Sequence, residues 1–324
     1  MNKDRILSML EENKGIYLSG QELAKRLFVT RSAVWKAINM LRRDGYIIKA
    51  VKNKGYMLPH DSDIVSEQSI RPFLRGNAAD FRFEIKKTLP STNTYLKGLA
   101  ANGEKEGLVI MANEQTAGRG RMGRSFFSPA DDGIYMSVLL RPPLKADSAA
   151  LLTTMAAVSV SRAIENTVGI PIGIKWVNDL YYKDKKIAGI LTEGGIDIES
   201  GTLQYAIIGI GVNVFTEEFP DDLKDTAASI SKSADEKGVS RPLLAAEILN
   251  LLEENLPALD KKNHISEYRA RSILTGKEIF VSRGDKKIPA VALDIDENAC
   301  LVVKYDDGKI ESLSSSDVSI RRNK

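Results

Sequence analysis

The sequence predicts a multidomain α+β protein: an N-terminal winged helix-turn-helix, a central α/β domain built on a mixed sheet, and a small C-terminal SH3-like β-barrel. Three patterns lead there. Helical periodicity with two N-capping signals fills the first 60 residues. Apolar strand-like runs then alternate with helical stretches through the middle of the chain. Beyond Gly276 the apolar spacing switches to two, with turn residues between short runs. A length of 324 residues allows two or three domains. The boundaries are read at 1–60, a linker over 61–75, then 76–272 and 273–324.

Composition narrows the function. Charged residues at 27% and hydrophobic ones at 43% are ordinary for a folded soluble chain. One cysteine, Cys300, excludes an internal disulfide framework and any multi-cysteine metal site. Two histidines, His60 and His264, are too few for a histidine-ligated centre, so no structural metal is expected. Asp4, Glu11 and Glu12 interrupt the N-terminus, which has no secretory apolar core. No apolar run reaches the ~18 residues of a membrane span, so a cytoplasmic protein with no membrane partner is expected. The net charge of +3 hides an asymmetry: residues 1–60 carry +7 and the remainder −4. A basic head on a slightly acidic body suggests a polyanion-binding module.

In the head, Ile6, Leu7 and Leu10 lie at helical spacing in a first helix over 3–13, followed by extended Ile16, Tyr17 and Leu18. Ser19 with Glu22 makes a capping box for a short second helix carrying Leu23, Ala24 and Leu27. Phe28 and Val29 form the turn. Thr30 caps a third helix from Arg31 to about Asp44, with Val34, Ile38 and Leu41 on its buried stripe and Gly45 as its stop. Two short helices joined by a tight turn fit a helix-turn-helix. Thr30, Arg31, Ser32 and Lys36 fall where base edges are met, and Arg42 and Arg43 suit phosphates. Residues 46–58 read as a hairpin turning at Asn53-Lys54-Gly55, with Lys52 and Lys54 on a wing. The expected partner is operator DNA. Trp35, adjacent to the apolar stripe, is expected in the core.

Pro59 and Pro72 bracket a polar linker with one short helix. A strand over 81–86 precedes a helix capped by Ser91 or Thr92, and a buried-type strand over 108–113 leads into Gln115-Thr116-Ala117-Gly118-Arg119-Gly120-Arg121-Met122-Gly123-Arg124. Glycines at 118, 120 and 123 formally match G-x-G-x-x-G. That fingerprint needs a helix directly afterwards. Phe126-Phe127-Ser128-Pro129 and Asp131-Asp132-Gly133 forbid one, and no Gly-Lys-Ser/Thr of a Walker loop follows. Three repelling guanidiniums on a glycine backbone predict a loop without internal support, ordered by an anion that each planar fork can grip. Arg-Gly tracts also occur in RNA-binding tails, but strands flank this one on both sides. A long Ala-rich helix over 148–168 ends at Gly169; the strand around Lys175-Trp176-Val177 then breaks at Asn178-Asp179, and a hairpin over 183–186 leads into strands at 187–191 and 202–214. Strand ends bearing Asn, Asp and Lys beside glycines suit a nucleotide.

The arginine loop, Lys175-Trp176-Val177-Asn178-Asp179-Leu180, Lys186-Ile187-Ala188-Gly189-Ile190-Leu191 and Gly209-Ile210-Gly211-Val212-Asn213, in this order, closely resemble the biotin–protein ligases. With the basic head, the chain resembles the bifunctional bacterial kind that is also the biotin operon repressor. The resemblance implies a two-step reaction: biotin and MgATP give biotinyl-5′-AMP, and a lysine of the biotin carboxyl carrier domain of acetyl-CoA carboxylase then displaces AMP. It further implies biotinyl-5′-AMP as corepressor and a homodimer of the adenylate-bound form. Ser91, Thr92, Asn93 and Gln115 match the biotin site, together with Arg119, Gly120, Arg121 and Lys186; Lys186, Arg119 and Arg121 match the catalytic cations. Gly118, Arg124, Phe126, Lys175, Asn178, Asp179 and Asn213 match positions near ATP, Mg2+ and the adenylate. Two departures stand out. Val177 replaces the family's usual proline, implying a less rigid strand end, and Phe126 replaces a frequent tryptophan near the adenine.

Residues 240–258 open with Ser240 and Pro242 and continue as a helix with Leu243, Ile248 and Leu252. The tail alternates at Ile279, Val281, Ala290, Ala292, Leu293, Leu301, Val303 and Ile310, with turns at Arg283-Gly284-Asp285, Asp296-Glu297-Asn298 and Asp306-Asp307-Gly308. Several short strands in so few residues predict the SH3-like barrel. Residues 275–324 balance 9 basic against 9 acidic residues, so they are not a second DNA surface. Two other readings stay open: a lipoate–protein ligase-like enzyme, and a non-catalytic repressor that senses a small anion.

Overall fold

The computed structural model describes residues 2–145, 149–197, 199–232, 238–284, 286–314 and 317–320. They form two compact units: residues up to Arg75 with Ser240–Ala246, and Gly76–Val239 with Glu247 to the C-terminus.

The first unit holds α1 (Asn2–Glu12), α2 (Gly20–Leu27) and α3 (Arg31–Arg43), then the wing strands β1 (Lys49–Val51) and β2 (Gly55–Met57). Ile6, Leu7, Leu10, Leu23, Leu27, Val34, Ile38 and Leu41 meet in one core, each worth about 1.5–3 kcal/mol when fully buried. Leu18 exchanges both backbone hydrogen bonds with Tyr56, adding an edge to the wing. A Cβ on Gly55 would lie 2.0 Å from the Leu18 carbonyl oxygen, so that approach requires glycine. Ser66 and Ser69 cap α4 (Glu67–Ile70) reciprocally, and Arg241 donates from Nε and its backbone N to the Asp63 carboxylate.

Two expectations for the head change, and Arg42 gains a structural contact. Trp35 is 57% exposed and outside the core, because Val34, Ala37, Ile38 and Leu41 already fill the buried side of α3. Ser19 does accept from the Glu22 amide, but the Glu22 carboxylate turns to Arg26 instead of closing a capping box. Arg42 donates from Nε and Nη2 to the Ile48 carbonyl at 3.2 and 2.6 Å, a brace for the wing strand.

In the second unit a seven-stranded sheet comprises β3 (Arg82–Leu89), β4 (Leu108–Gln115), β5 (Gly133–Leu140), β6 (Gly173–Lys175), β7 (Asp179–Tyr182), β8 (Lys185–Ile196) and β9 (Leu203–Asn213). Their order is β3-β4-β5-β9-β8-β7-β6. Only β3 and β4 pair in parallel, joined through α5 (Thr92–Ala101); the other pairs are antiparallel, so the sheet is mixed as predicted. The helices α6 (Ala149–Val168) and α8 (His264–Ala270), with the part of α7 (Arg241–Asn255) from Glu247 onward, belong to the same unit. Arg271 clamps α6 to α8 through Glu165 and Glu267 at 2.6 and 2.7 Å.

The C-terminal strands β10 (Glu278–Arg283), β11 (Lys286–Ile295), β12 (Leu301–Tyr305), β13 (Ile310–Leu313) and β14 (Asp317–Ile320) form an antiparallel sheet ordered β13-β12-β11-β10-β14. Among the described residues no pairing joins β13 to β14, and the five strands stand as one antiparallel sheet where the SH3-like barrel is expected. Ile279, Val281, Ala290, Ala292, Leu301 and Val303 are buried as the alternation required. Leu293 is exposed because the register shifts between Ala292 and Asp294, and Ile310, at the start of the edge strand, is 60% exposed. No described helix is long and apolar enough to cross a membrane.

His264 opens α8 in a buried position, its Nε2 3.0 Å from Thr154 Oγ1 on α6. Burial pulls its pKa down from 6.5 to about 4. The unfolded chain therefore binds the proton more readily, and stability falls as pH drops from about 6.5 to about 4, with no further contribution below. The loss is on the order of 3 kcal/mol. Urea unfolding across that range is expected to show His264→Gln losing markedly less stability than the parent.

Candidate active site

One cleft of about 270 Å³ gathers residues from every motif of the central domain. Its floor is laid out by strand register. On β9, Gly209 and Gly211 face the cleft; Ser137 and Leu191 flank Gly209 in register, and Tyr135 and Gly189 flank Gly211. A Cβ on Gly209 would lie 2.1 Å from Asn93 Oδ1, and one on Gly211 would lie 2.5 Å from the Phe126 ring. Asn93 and Phe126 thus rest directly on bare backbone. Phe126 also meets Tyr135 edge to face at a centroid distance of 6.5 Å.

One wall is the N-terminus of α5, where Ser91 caps and accepts from the Thr94 amide. Gln115, at the end of β4, accepts from the Thr92 backbone N (2.9 Å) and Thr92 Oγ1, and donates to Ser128 Oγ at 2.9 Å. Ser137 Oγ sits 2.6 Å from Asn93 Oδ1 and 2.7 Å from Thr92 Oγ1. This polar network is buried and fixes the orientation of each amide.

The same cleft carries cations. Lys186, at the start of β8, pairs with Asp179 of β7 at 2.6 Å. Its backbone is held on both sides, N donating to the Thr226 carbonyl and O accepting from Ala228. Asn178 donates to the Ile190 carbonyl and accepts from Arg121 Nη1 at 3.3 Å. Arg119 Nη1 donates to Glu193 at 3.1 and 3.2 Å. The arginine loop is therefore supported by the protein, which corrects the expectation of a loop without internal support. Glu193 and Asn178 relieve the guanidinium repulsion, Gly120 N donates to the Arg124 carbonyl, and Arg119 bridges Ser125.

The strand end at Val177 is equally pinned. Tyr268 is fully buried, its phenol pushed well above the usual range by that burial, and its hydroxyl donates to the Val177 carbonyl at 2.9 Å. Trp176 is buried and donates from Nε1 to the Ala299 carbonyl at 2.8 Å. Loss of the proline thus leaves no loose end.

A model of the biotin/lipoate A/B protein ligase family matches residues 85–213, an HTH-domain model residues 2–57, and a biotin protein ligase C-terminal domain model residues 275–321. The bifunctional ligase/repressor BirA of Bacillus subtilis is 35% identical over 99% of this chain and 98% of its own length. That of Escherichia coli K12 is 28% identical, covering 95% and 94%. The chain belongs to the biotin protein ligase family. Among solved structures, the biotin protein ligase from Aquifex aeolicus in complex with biotin and ATP has a TM-score of 0.63 at 28% identity, covering 75% of this chain and all but 1% of that one (99%).

Against this ligase fold, most residues singled out in the sequence converge. Ser91, Thr92, Asn93, Gln115, Arg119, Gly120, Arg121, Arg124, Phe126, Lys175, Asn178, Asp179 and Lys186 all line the cleft. Two do not. Asn213 turns its amide to the Ala228 carbonyl, and Gly118 serves packing, since a Cβ there would lie 2.4 Å from the Phe126 carbonyl oxygen. Sequence reasoning missed Ser137 and Glu193. Ser137 had one legible signal, a lone small polar residue inside the wholly buried strand Gly133–Leu140.

In the head, Arg31, Ser32, Lys36 and Arg43 are exposed on α3, with Lys52 and Lys54 exposed at the wing turn. Thr30 Oγ1 is occupied as the helix cap, accepting from Ala33 N. Beside them, Phe28 is 94% exposed in the turn and Trp35 extends the same surface of α3.

Two glycines separate packing from propensity. Gly209→Ala is expected to destabilise by about 1–3 kcal/mol, through collision with Asn93. Gly98→Ala, in α5 with nothing near its added methyl, is expected to stabilise by about 0.5–1 kcal/mol. Denaturant midpoints measure both.

Proposed function

We propose that the chain activates biotin with MgATP and transfers it to a lysine of the biotin carboxyl carrier domain of acetyl-CoA carboxylase. With biotinyl-5′-AMP bound, it represses the biotin biosynthetic operon as a homodimer. The observation carrying the first part is the convergence of Arg119, Arg121, Lys175 and Lys186 on one cleft that the Thr92–Asn93–Gln115 network also lines. Full-length similarity to ligase/repressors and the capped helix-turn-helix support the second.

A carboxylate attacking a triphosphate brings two anions together, so fixed cations at the developing charge supply much of the catalysis. A biotin carboxylate oxygen attacks the α-phosphorus, and the bond from that phosphorus to the pyrophosphate oxygen breaks. Lys186, held in place by Asp179, and Arg121, held by Asn178, meet the charge on the α-phosphate. Asp179 and Asn178 also suit a magnesium ion arriving on the triphosphate, an ion commonly bound through one or two carboxylates plus phosphates. The acceptor lysine then attacks the acyl carbon, the acyl–phosphate bond breaks, AMP leaves, and the nitrogen gives up a proton. No protein nucleophile is required. The loop over the cleft keeps water from the mixed anhydride.

In the repressor role, Arg31, Ser32 and Lys36 meet base edges, while Arg43, Lys52 and Lys54 meet phosphates. Two heads held apart by a two-fold axis engage half-sites a whole number of helical turns apart. Closure of the arginine loop over the adenylate favours the dimer and so couples the two activities.

Radiolabelled pyrophosphate exchange into ATP tests the chemistry. Exchange is expected with biotin and not with lipoate, and Lys186→Ala is expected to lower its rate by about 10²–10³. Exchange supported by lipoate alone, or by neither acid, would overturn the assignment. Arg121→Ala is expected to shorten retention of biotinyl-5′-AMP and to weaken ligand-dependent protection of operator DNA together; full protection despite lost retention would break the coupling.

A further inference from the structure

Glu193 stands on β8, on the same face as Gly189 and Leu191, opposite Ile207 in register. Its side chain is only 17% exposed, yet it is not one of the motif residues. Its carboxylate receives Asn93 Nδ2 at 3.0 Å and Arg119 Nη1 at 3.1 and 3.2 Å, with Lys97 Nζ at 4.0 Å. Asn93 has no freedom to turn away, because Ser137 sits on its Oδ1 and its Nδ2 also donates to the Leu191 carbonyl at 3.1 Å. A continuous path thus runs Ser137–Asn93–Glu193–Arg119, from the cleft floor to the root of the arginine loop.

We propose that Glu193 is the positioning residue that latches the arginine loop to the ligand-binding floor, retaining the activated intermediate until the acceptor lysine arrives. This rests on the ligase reading of the cleft. Arg119 is the correct point to hold, since the loop closes on itself through the Arg119–Ser125 bridge and the Gly120–Arg124 hydrogen bond. Fixing its root therefore fixes the turn that carries Arg121. Glu193 touches no reacting atom. It acts by keeping one guanidinium in register with an amide that Ser137 and the Leu191 carbonyl already fix. The Arg119 end of the pair is partly exposed, so the latch is weak and reversible, as a loop that must open each turnover requires.

The test uses the full-length protein with biotin, MgATP and an acceptor domain. It measures AMP released per biotin transferred, the KM for biotin, and the rate of intermediate loss after gel filtration. Glu193→Gln keeps an acceptor for Asn93 and removes the charge facing Arg119. It is expected to raise intermediate loss about fivefold, what a partly exposed pair of this kind is worth. AMP per transfer rises with it, and Glu193→Asp restores part of the retention. In an Arg119→Ala background, Glu193→Gln is expected to add less than twofold. Because the pair is partly exposed, loss from the parent protein also rises between roughly 0.1 and 1 M salt, while loss from Glu193→Gln does not. A folded Glu193→Gln that retains the intermediate like the parent overturns the latch, as does a fivefold defect undiminished without Arg119. If the glutamine variant fails to fold, salt-independent loss from the parent overturns it. Absence of biotin-dependent exchange in the parent protein marks failure of the ligase reading instead.

Discussion

The cleft exists because side chains are missing from the sheet. Gly189 and Gly211 oppose each other in register on β8 and β9, and Gly209 lies one pleat further along. At Gly209 and Gly211 the place of a Cβ is already taken, by the Asn93 amide and by the Phe126 ring. Interiors pack to crystal-like density, so such space is created only where the backbone carries nothing to fill it. Everything chemical about the site follows from this bare strip. The polar network can lie low enough to face a ligand, and the aromatic ring can lie flat beside it.

The charges around that strip are preorganised. Arg119 meets Glu193, Arg121 meets Asn178, and Lys186 meets Asp179. Each cation approaches an acceptor that is itself anchored in a strand or at a strand end. Preorganised donors avoid reorganisation at the moment of reaction, and this is where fixed electrostatics are most effective.

The C-terminal module belongs to this arrangement. Ala299 accepts from the Trp176 indole, Val318 lines the cleft, and Lys262 donates to Asn298 at 2.8 Å. With Tyr268 bonded to the Val177 carbonyl, the turn presenting Asn178 and Asp179 is held from two sides. The module meets the central domain through the β11–β12 turn, β14 and the end of β11, where Arg269 donates to the Ile295 carbonyl.

Local features were legible in the linear chain. Caps at Ser19, Thr30 and Ser91, the stripes of α1 to α3, the strand runs, and the glycine-arginine loop all follow from interactions within a few residues, and the charged motifs stand out because Arg, Lys, Asp and Asn seldom interrupt buried strands without reason. Function was legible because four such motifs occur in order behind a basic head. What the chain could not reveal was pairing. Period-two alternation tells which residues share a face but not which strand lies beside which. Thus Ser137 and Glu193, ordinary residues within strands, became site residues only when β5, β9 and β8 aligned. The same limit explains the exposed Trp35 and the diverted Asn213. Each depends on which partner reaches a surface first, and that competition is settled by contacts between segments far apart in the chain.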